Sequence, residues 1–281
     1  MECSICVRKC NLLAGGAAGY CGSIYRDEGG ALKTAAYGRL TRVLRQPVGN
    51  LPLNFWTERS ECFAFATHGC NMRCVHCCNA ELAHARFDRT KSEGMQVYSP
   101  EALVVAAHRL GLALATDFNE AVGLYHYVLD VWRLAAEKGV PCVFTTNGLF
   151  TEEALVELLP YSAAVRVDIK GWSERALRAQ GFWFGGMDVE SPLRNLVVAG
   201  RYPVHREMTY CLIPTVNDDP RELVMLAKRL RSEAGDVPVT VSNHYIANTI
   251  DTFPVATRDD VQRAAAIFGS YLSEVGTFVR E

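Results

Sequence analysis

The 281-residue sequence has no surplus of either charge: 29 Lys and Arg stand against 31 Asp and Glu, a net charge of −2. That balance excludes the basic footprint of a nucleic-acid-binding surface. Charged residues are only 21% of the chain and apolar ones 49%, which excludes a chain too polar to fold. Long apolar runs are missing as well. The longest, 102–116, is interrupted by His108 and Arg109, and Met1-Glu2-Cys3-Ser4-Ile5-Cys6 has neither the basic start nor the apolar core of a signal peptide. No membrane association is expected, and a soluble, cytoplasmic protein is. Neither a repeat at a solenoid period nor a low-complexity tract is present.

Cysteine is abundant by contrast, at eleven residues, an odd number. In a reducing compartment clustered cysteines bind metal or do chemistry more often than they form disulfides. Cys3, Cys6, Cys10 and Cys21 lie in a weakly periodic, glycine-bearing stretch, 1–30. A segment this short has too little core to order itself, so it reads as a small N-terminal cysteine-rich module stapled by metal. Four thiolates suit a closed zinc site or a second iron-sulfur cluster, with zinc slightly favoured. Residues 31–59, carrying Pro47, Gly49 and Pro52, read as a linker over a surface.

From residue 60 onward the pattern is regular. Apolar runs rich in β-branched and aromatic residues predict strands at 62–67, 112–117, 142–146, 163–168, 205–212 and 237–243. Helical patterns fall between them at 100–110, 120–138, 151–159, 173–180 with 191–200, 218–234 and 257–275, several opened by capping residues such as Ser99-Pro100-Glu101. Six βα units in succession predict an α/β fold with a parallel sheet, a partial (βα)6 TIM-like barrel over 60–281. Chemistry on such a barrel sits where the strands end. Those ends are Thr67 to Cys70, Asp117 to Glu120, Thr146-Asn147-Gly148, Asp168 to Gly171, Cys211 to Asn217 and Asn243-His244-Tyr245. All are polar, and together they form a ring around one mouth.

The first strand end opens the densest cysteine cluster, Cys70-x3-Cys74-x2-Cys77 followed directly by Cys78. Three thiolates at this spacing can wrap one corner of a cubane and leave its fourth iron open to a ligand. A structural zinc ion needs a fourth ligand, and Cys78, adjacent to Cys77, points elsewhere. Cys62 and Cys142 sit in strand runs and read as core. Cys211 and Cys78 are candidates to face the cavity and relay a hydrogen atom. The aromatic stretch 181–186, Gly-Phe-Trp-Phe-Gly-Gly, reads as a flap over the mouth or as packing against a neighbouring helix.

The cysteine spacing at the end of the first strand resembles the radical S-adenosylmethionine superfamily, closest to the branch of the pyruvate formate-lyase activating enzyme relatives and the AmmeMemoRadiSam proteins. The resemblance runs from the N-terminal cysteines and Gly19-Tyr20-Cys21-Gly22 through Phe118-Asn119-Glu120, Thr146-Asn147-Gly148, Asp168-Ile169-Lys170-Gly171 and Leu212-Ile213-Pro214-x-x-Asn217-Asp218. It implies a [4Fe-4S] cluster on Cys70, Cys74 and Cys77, S-adenosylmethionine on the open iron, and a 5′-deoxyadenosyl radical that abstracts hydrogen from a protein or small-molecule substrate. It also implies an external electron donor of flavodoxin or ferredoxin type. His76 fills the position of an aromatic ring against the adenine. Asn119 and Glu120 stand where the methionine amino group is met, with Asn147, Asp168, Lys170, Asn243 and His244 as further cofactor contacts and Cys78, Lys170 and Cys211 as catalytic candidates. The chain departs from the family at Cys78, usually glutamine, at Ala121, usually proline, and along the sixth strand, where substrate contacts gather. Glycyl-radical enzyme activation is the leading expectation. Modification of a small molecule or peptide and non-catalytic electron transfer are the alternatives.

Overall fold

Side chains that alternate between a small, inward face and a large, outward face along parallel strands set the architecture. The structure is a computed structural model and describes residues 1–88, 96–181, 183–185, 187–247 and 252–280. Two short strands, β1 (Ile24–Arg26) and β2 (Leu32–Thr34), pair antiparallel by themselves. The main sheet has eight strands in plain sequence order: β3 (Arg42–Pro47), β4 (Glu61–Ala66), β5 (Ala113–Thr116), β6 (Cys142–Thr146), β7 (Ala164–Ile169), β8 (His205–Leu212), β9 (Val239–Asn243) and β10 (Val275–Phe278). β4 to β10 are parallel, and β3 runs antiparallel to β4. The sheet curls but its edge strands β3 and β10 do not pair, so the barrel is partial, as the six βα units predict.

The outward faces of these strands, including Phe65, Leu114, Phe144, Val165, Met208 and Val241, pack under the helices as the main core. Those helices are α1 (Ala80–Ala83), α2 (Pro100–Leu110), α3 (Tyr125–Glu137), α4 (Glu152–Leu158), α5 (Glu174–Ala179), α6 (Ser191–Ala199), α7 (Pro220–Arg229) and α8 (Arg258–Gly269). Their starts follow the sequence signals: Ser99 Oγ accepts from Ala102 N at 3.1 Å, Thr151 Oγ1 from Ala154 N at 3.2 Å, and Thr257 forms a capping box with Asp260. Cys62 and Cys142 are fully buried, as core residues should be.

Two expectations need correction. The stretch 31–59 is not a surface linker. It supplies β2 and the edge strand β3, then turns inward so that Val48, Leu51, Leu53 and Trp56 fill the barrel against Cys62, Ala64, Ala113, Ala115, Val143 and Ala164. Small residues on the inward face leave room for this plug, which proline and glycine in the sequence disguised as a linker. The pattern over 257–275 is also not one helix: α8 ends at Gly269 and the chain re-enters the sheet as β10.

Glu207, buried at the N-terminal end of β8, fixes the plug. Its carboxylate accepts from Asn54 N at 3.0 Å and Phe55 N at 2.9 Å and lies 2.8 Å from His205 Nε2, while Asn54 Nδ2 donates to Thr240 Oγ1 at 2.9 Å. Two backbone amides converge on this one fully buried carboxylate, which makes it hard to replace. Glu207→Ala is expected to destabilise the protein by about 3 kcal/mol, read as a lowered urea midpoint, whereas Glu207→Gln, which keeps one acceptor, loses less.

Candidate functional site

With the lower barrel filled, the inward side chains at the strand C-termini frame a cavity of about 570 Å³. Its wall carries Cys70, Cys74, Cys77 and Cys78 from the β4–α1 loop, Asp117 to Glu120 after β5, Asn147 after β6, Arg166, Asp168 and Lys170 on and after β7, Thr209 and Cys211 on β8, and Ser242 to Tyr245 at the end of β9. Every candidate from the barrel part of the sequence is therefore brought to one place. Cys3, Cys6, Cys10 and Cys21 are not; they sit beneath the cysteine loop.

Local backbone shapes this loop. Gly69 has φ +100°, and a side chain there would put its Cβ 2.0 Å from the Cys21 carbonyl oxygen, so only glycine permits the approach. Asn119 Nδ2 donates to the carbonyls of Thr67 at 2.6 Å and Gly69 at 2.5 Å, and Arg73 ties down Cys70 O, Met72 O and Ala83 O at 2.9–3.0 Å. Phe118, a non-glycine residue at φ +67°, turns the chain so that Asn119 meets the loop. The amide nitrogen of Asn119 is thus committed to holding the cysteine loop. Asn243 is committed likewise, exchanging 2.9 Å hydrogen bonds with the backbone of Arg280 at the end of β10.

The charges inside the cavity are paired. Asp168 lies 3.1 Å from Arg166 Nε and 3.7 Å from Lys170 Nζ and accepts from Thr209 Oγ1. Burial works to raise its carboxyl, but Arg166, Lys170 and Thr209 outweigh it and hold the group below the usual carboxylate range. Lys170 is held protonated despite burial, chiefly by the Asp168 carboxylate. Glu120 is different: burial lifts it to about 7, although it accepts from Asn147 N at 2.6 Å, Thr146 Oγ1 at 3.1 Å and Ala121 N at 3.1 Å. Burial also pushes Cys70 up to about 12 and raises Cys74 and Cys77, so these thiols carry protons that a metal must displace. Cys211 rises to about 11, chiefly by burial, and Cys78 at the exposed rim is bonded to Tyr245.

His76 is buried, its ring meeting His244 edge-on at 6.1 Å between centroids, and burial lowers it to about 3. Trp183 and Phe184 pack against Cys70, Met72, Cys74, Leu149, Leu177 and Met187 under the loop rather than over the mouth, which favours the packing alternative for this stretch; Phe182 and Gly186 lie outside the described residues. Arg166 and Thr209 escaped the sequence reading. An arginine inside an otherwise apolar parallel strand was the signal, since such a charge persists only when paired.

A family description, the Radical SAM superfamily, matches residues 65–227, more than half of the chain. The chain belongs to the radical SAM superfamily. The uncharacterized protein MJ0808 of Methanocaldococcus jannaschii is 26% identical over 239 residues, 84% of this chain and 67% of that protein. A radical SAM methyltransferase from Sphaerobacter thermophilus shares the fold at TM-score 0.58 and 17% identity, over 80% of this chain and 67% of its own. Streptococcus suis SuiB bound to S-adenosylmethionine does so at 0.57 and 10%, over 78% of this chain, which spans about half (49%) of SuiB.

Radical SAM enzymes use a [4Fe-4S] cluster and S-adenosylmethionine, and the residues present fit both. Three thiols at C-x3-C-x2-C share one cavity wall, with Met72 N donating to Cys70 Sγ at 3.4 Å. Nδ1 of His76, on the same wall, and Nδ2 of Asn71, next to Cys70, are buried polar atoms with no hydrogen-bond partner among the described residues, as expected beside a group that supplies one. Among the described residues no three His, Cys, Asp or Glu side chains converge on a single metal ion. A cubane spreads its thiolates over separate irons, so its ligands need no such convergence.

Gly69→Ala tests this packing. After anaerobic reconstitution the variant is expected to hold well under half the iron of the unaltered protein, measured as metal content and as absorbance of the sulfur-to-iron charge-transfer band. Full loading would show that the loop tolerates the displaced Cys21 carbonyl.

Proposed function

We propose that this radical SAM enzyme abstracts a hydrogen atom from the backbone of a partner protein, in the manner of a glycyl-radical enzyme activase. The observation that carries this reading is the mouth. The aromatic side chains available to cover it, Trp183 and Phe184, are packed under the cysteine loop, and the rim residues Cys78, Arg42 and Arg280 lie at the surface, where a loop of another protein can enter.

When bound, the cluster and S-adenosylmethionine supply a 5′-deoxyadenosyl radical. Cys70, Cys74 and Cys77 hold the cluster. Asn119 and Asn147 keep the surrounding loops in place, and Glu120, once ionised, faces the methionine ammonium. Lys170, kept charged by Asp168, offers the cation for the methionine carboxylate. His76 and His244 border the adenine. Cys78 and Cys211 stand on the substrate side of the cavity, as candidates to return a hydrogen atom. A flavodoxin- or ferredoxin-type protein in the cytoplasm supplies the electron, and Cys3, Cys6, Cys10 and Cys21 bind a second metal centre. No nucleic acid or membrane is involved; among the described residues no helix is long and apolar enough to cross a membrane.

A second reading is a small anionic substrate or a peptide. It is favoured by two rim guanidiniums on aromatic rings, Arg42 4.9 Å from the centroid of Phe118 and Arg280 5.0 Å from that of Tyr245.

Reduction of the reconstituted protein with S-adenosylmethionine is expected to release 5′-deoxyadenosine, and replacement of Cys70, Cys74 and Cys77 together by alanine to abolish it. Cleavage surviving the triple replacement would remove the site from this loop. Cys78→Ala is expected to keep most of the cleavage, because it is not a cluster ligand. Deuterium passing into 5′-deoxyadenosine from an α-deuterated glycine in a partner protein supports the activase reading. Transfer from a small molecule or peptide alone supports the second.

A further inference from the structure

Behind the cysteine loop, off the cavity wall that its sulfurs line, Tyr20 of the Gly19-Tyr20-Cys21-Gly22 stretch carries two guanidiniums on one ring. Arg8 lies 3.6 Å from the ring centroid and Arg73 4.8 Å, and Phe184 flanks Arg8 on its own account at 4.0 Å. Both side chains are bonded to the backbone of the loop. Arg8 Nε donates to Asn71 O at 2.5 Å, and Arg73 Nη1 donates to Cys70 O, Met72 O and Ala83 O at 2.9–3.0 Å. Arg73 Nη2 adds Tyr20 O at 3.2 Å. The two positive charges are thereby fixed against the backbone next to Cys70 and Cys74.

Every one of these acceptors is a neutral carbonyl, and among the described residues neither guanidinium pairs with a carboxylate. Arginines elsewhere in the protein are treated differently: Arg166, Arg178, Arg194 and Arg229 each meet an Asp or Glu. Two like charges, each partly buried and sharing one aromatic ring, repel each other and cost free energy unless an anion stands close by. Tying down carbonyls accounts for the donors of Arg8 and Arg73 but not for their charge. The anion that fits is on the other face of the same loop. Three thiolates on a [4Fe-4S] cubane make a centre of net negative charge, which gains one more negative charge on reduction, and the potential of such a centre responds to the charges around it.

We propose that Arg8 and Arg73, positioned by Tyr20, are the counter-charge of the radical cluster and raise its reduction potential. One electron passes from an external one-electron donor to the cluster, the donor is oxidised by one electron, and no proton need move, because the added negative charge is met by guanidiniums already in place. The inference rests on the proposed assignment of the cluster to Cys70, Cys74 and Cys77, and it is independent of the substrate. It gives the N-terminal segment a part in the chemistry through Arg8 and Tyr20, with no ligand required of its cysteines.

The test is a redox titration of the anaerobically reconstituted full-length protein, followed by electron paramagnetic resonance without substrate or S-adenosylmethionine, with iron content and circular dichroism as checks on loading and folding. Arg8→Gln keeps a donor for Asn71 O and loses the charge. It should hold about four irons per chain and show a midpoint roughly 30–60 mV more negative, a threefold to tenfold weaker reduction at about 59 mV per tenfold for one electron. Arg8→Lys keeps the charge and should stay close to the unaltered midpoint. Gly185 offers a change that leaves the bonds of the loop alone, since it follows Phe184, on which Arg8 is stacked, and a Cβ there meets nothing within 4 Å. Gly185→Glu gives Arg8 the carboxylate it lacks and should lower the midpoint relative to Gly185→Gln, a comparison that decides the question even if Arg8→Gln takes up no iron. Equal midpoints for the two Gly185 variants, or a fall in Arg8→Lys as large as in Arg8→Gln, would overturn the tuning and leave the cluster site standing. No reducible cluster in the unaltered protein would overturn both.

Discussion

A barrel that stops short of closure must have its interior filled at one end if it is to keep a cavity at the other. Here the filling is done by the segment 48–56, pinned by one carboxylate out of reach of water, Glu207. The inward faces of β4 to β7 are alanine, cysteine and valine below, to admit the plug, and turn to Thr145, Arg166 and Asp168 above. The same alternation that gives each strand one inward face therefore separates packing from chemistry along the barrel axis.

The upper half of the barrel is a low-dielectric place crowded with ionisable groups, three of which neutralise one another while the carboxyls of Asp117 and Glu120 are raised by burial. Arg166, Asp168 and Lys170 neutralise one another within one strand and its loop, so they stay charged when buried. Glu120 has hydrogen-bond donors but no cation of its own, and its raised affinity for a proton is the result.

Much of the fold was legible because buried parallel strands read as short, nearly uninterrupted apolar runs. The runs 142–146 and 205–212 are strands at those same limits. β3 was not legible: Arg42, Leu44 and Arg45 are exposed on an edge strand with Pro47 at its end, so its pattern is that of a loop. The plug was hidden for a related reason, since its role is set by the size of residues far away in sequence. At the site, the motif residues could be read from spacing, yet the purely structural work of Asn119 and Asn243 could not, because each bonds backbone that only folding brings near.

The N-terminal cysteines are held in place partly from the middle of the chain. Thr151 donates from its backbone to Ile5 O at 3.1 Å and from its hydroxyl to Ser4 O at 2.5 Å, and Val7 N donates to Leu149 O at 3.0 Å. A growing polypeptide emerges from its N-terminus, so these anchors exist only once residues 149–151 have been made. Until then Cys3 and Cys6 lack the contacts that flank them in the folded protein. The shelter around these thiols is therefore completed late in biosynthesis, although the Cys21 carbonyl among them is what the cluster loop packs against at Gly69.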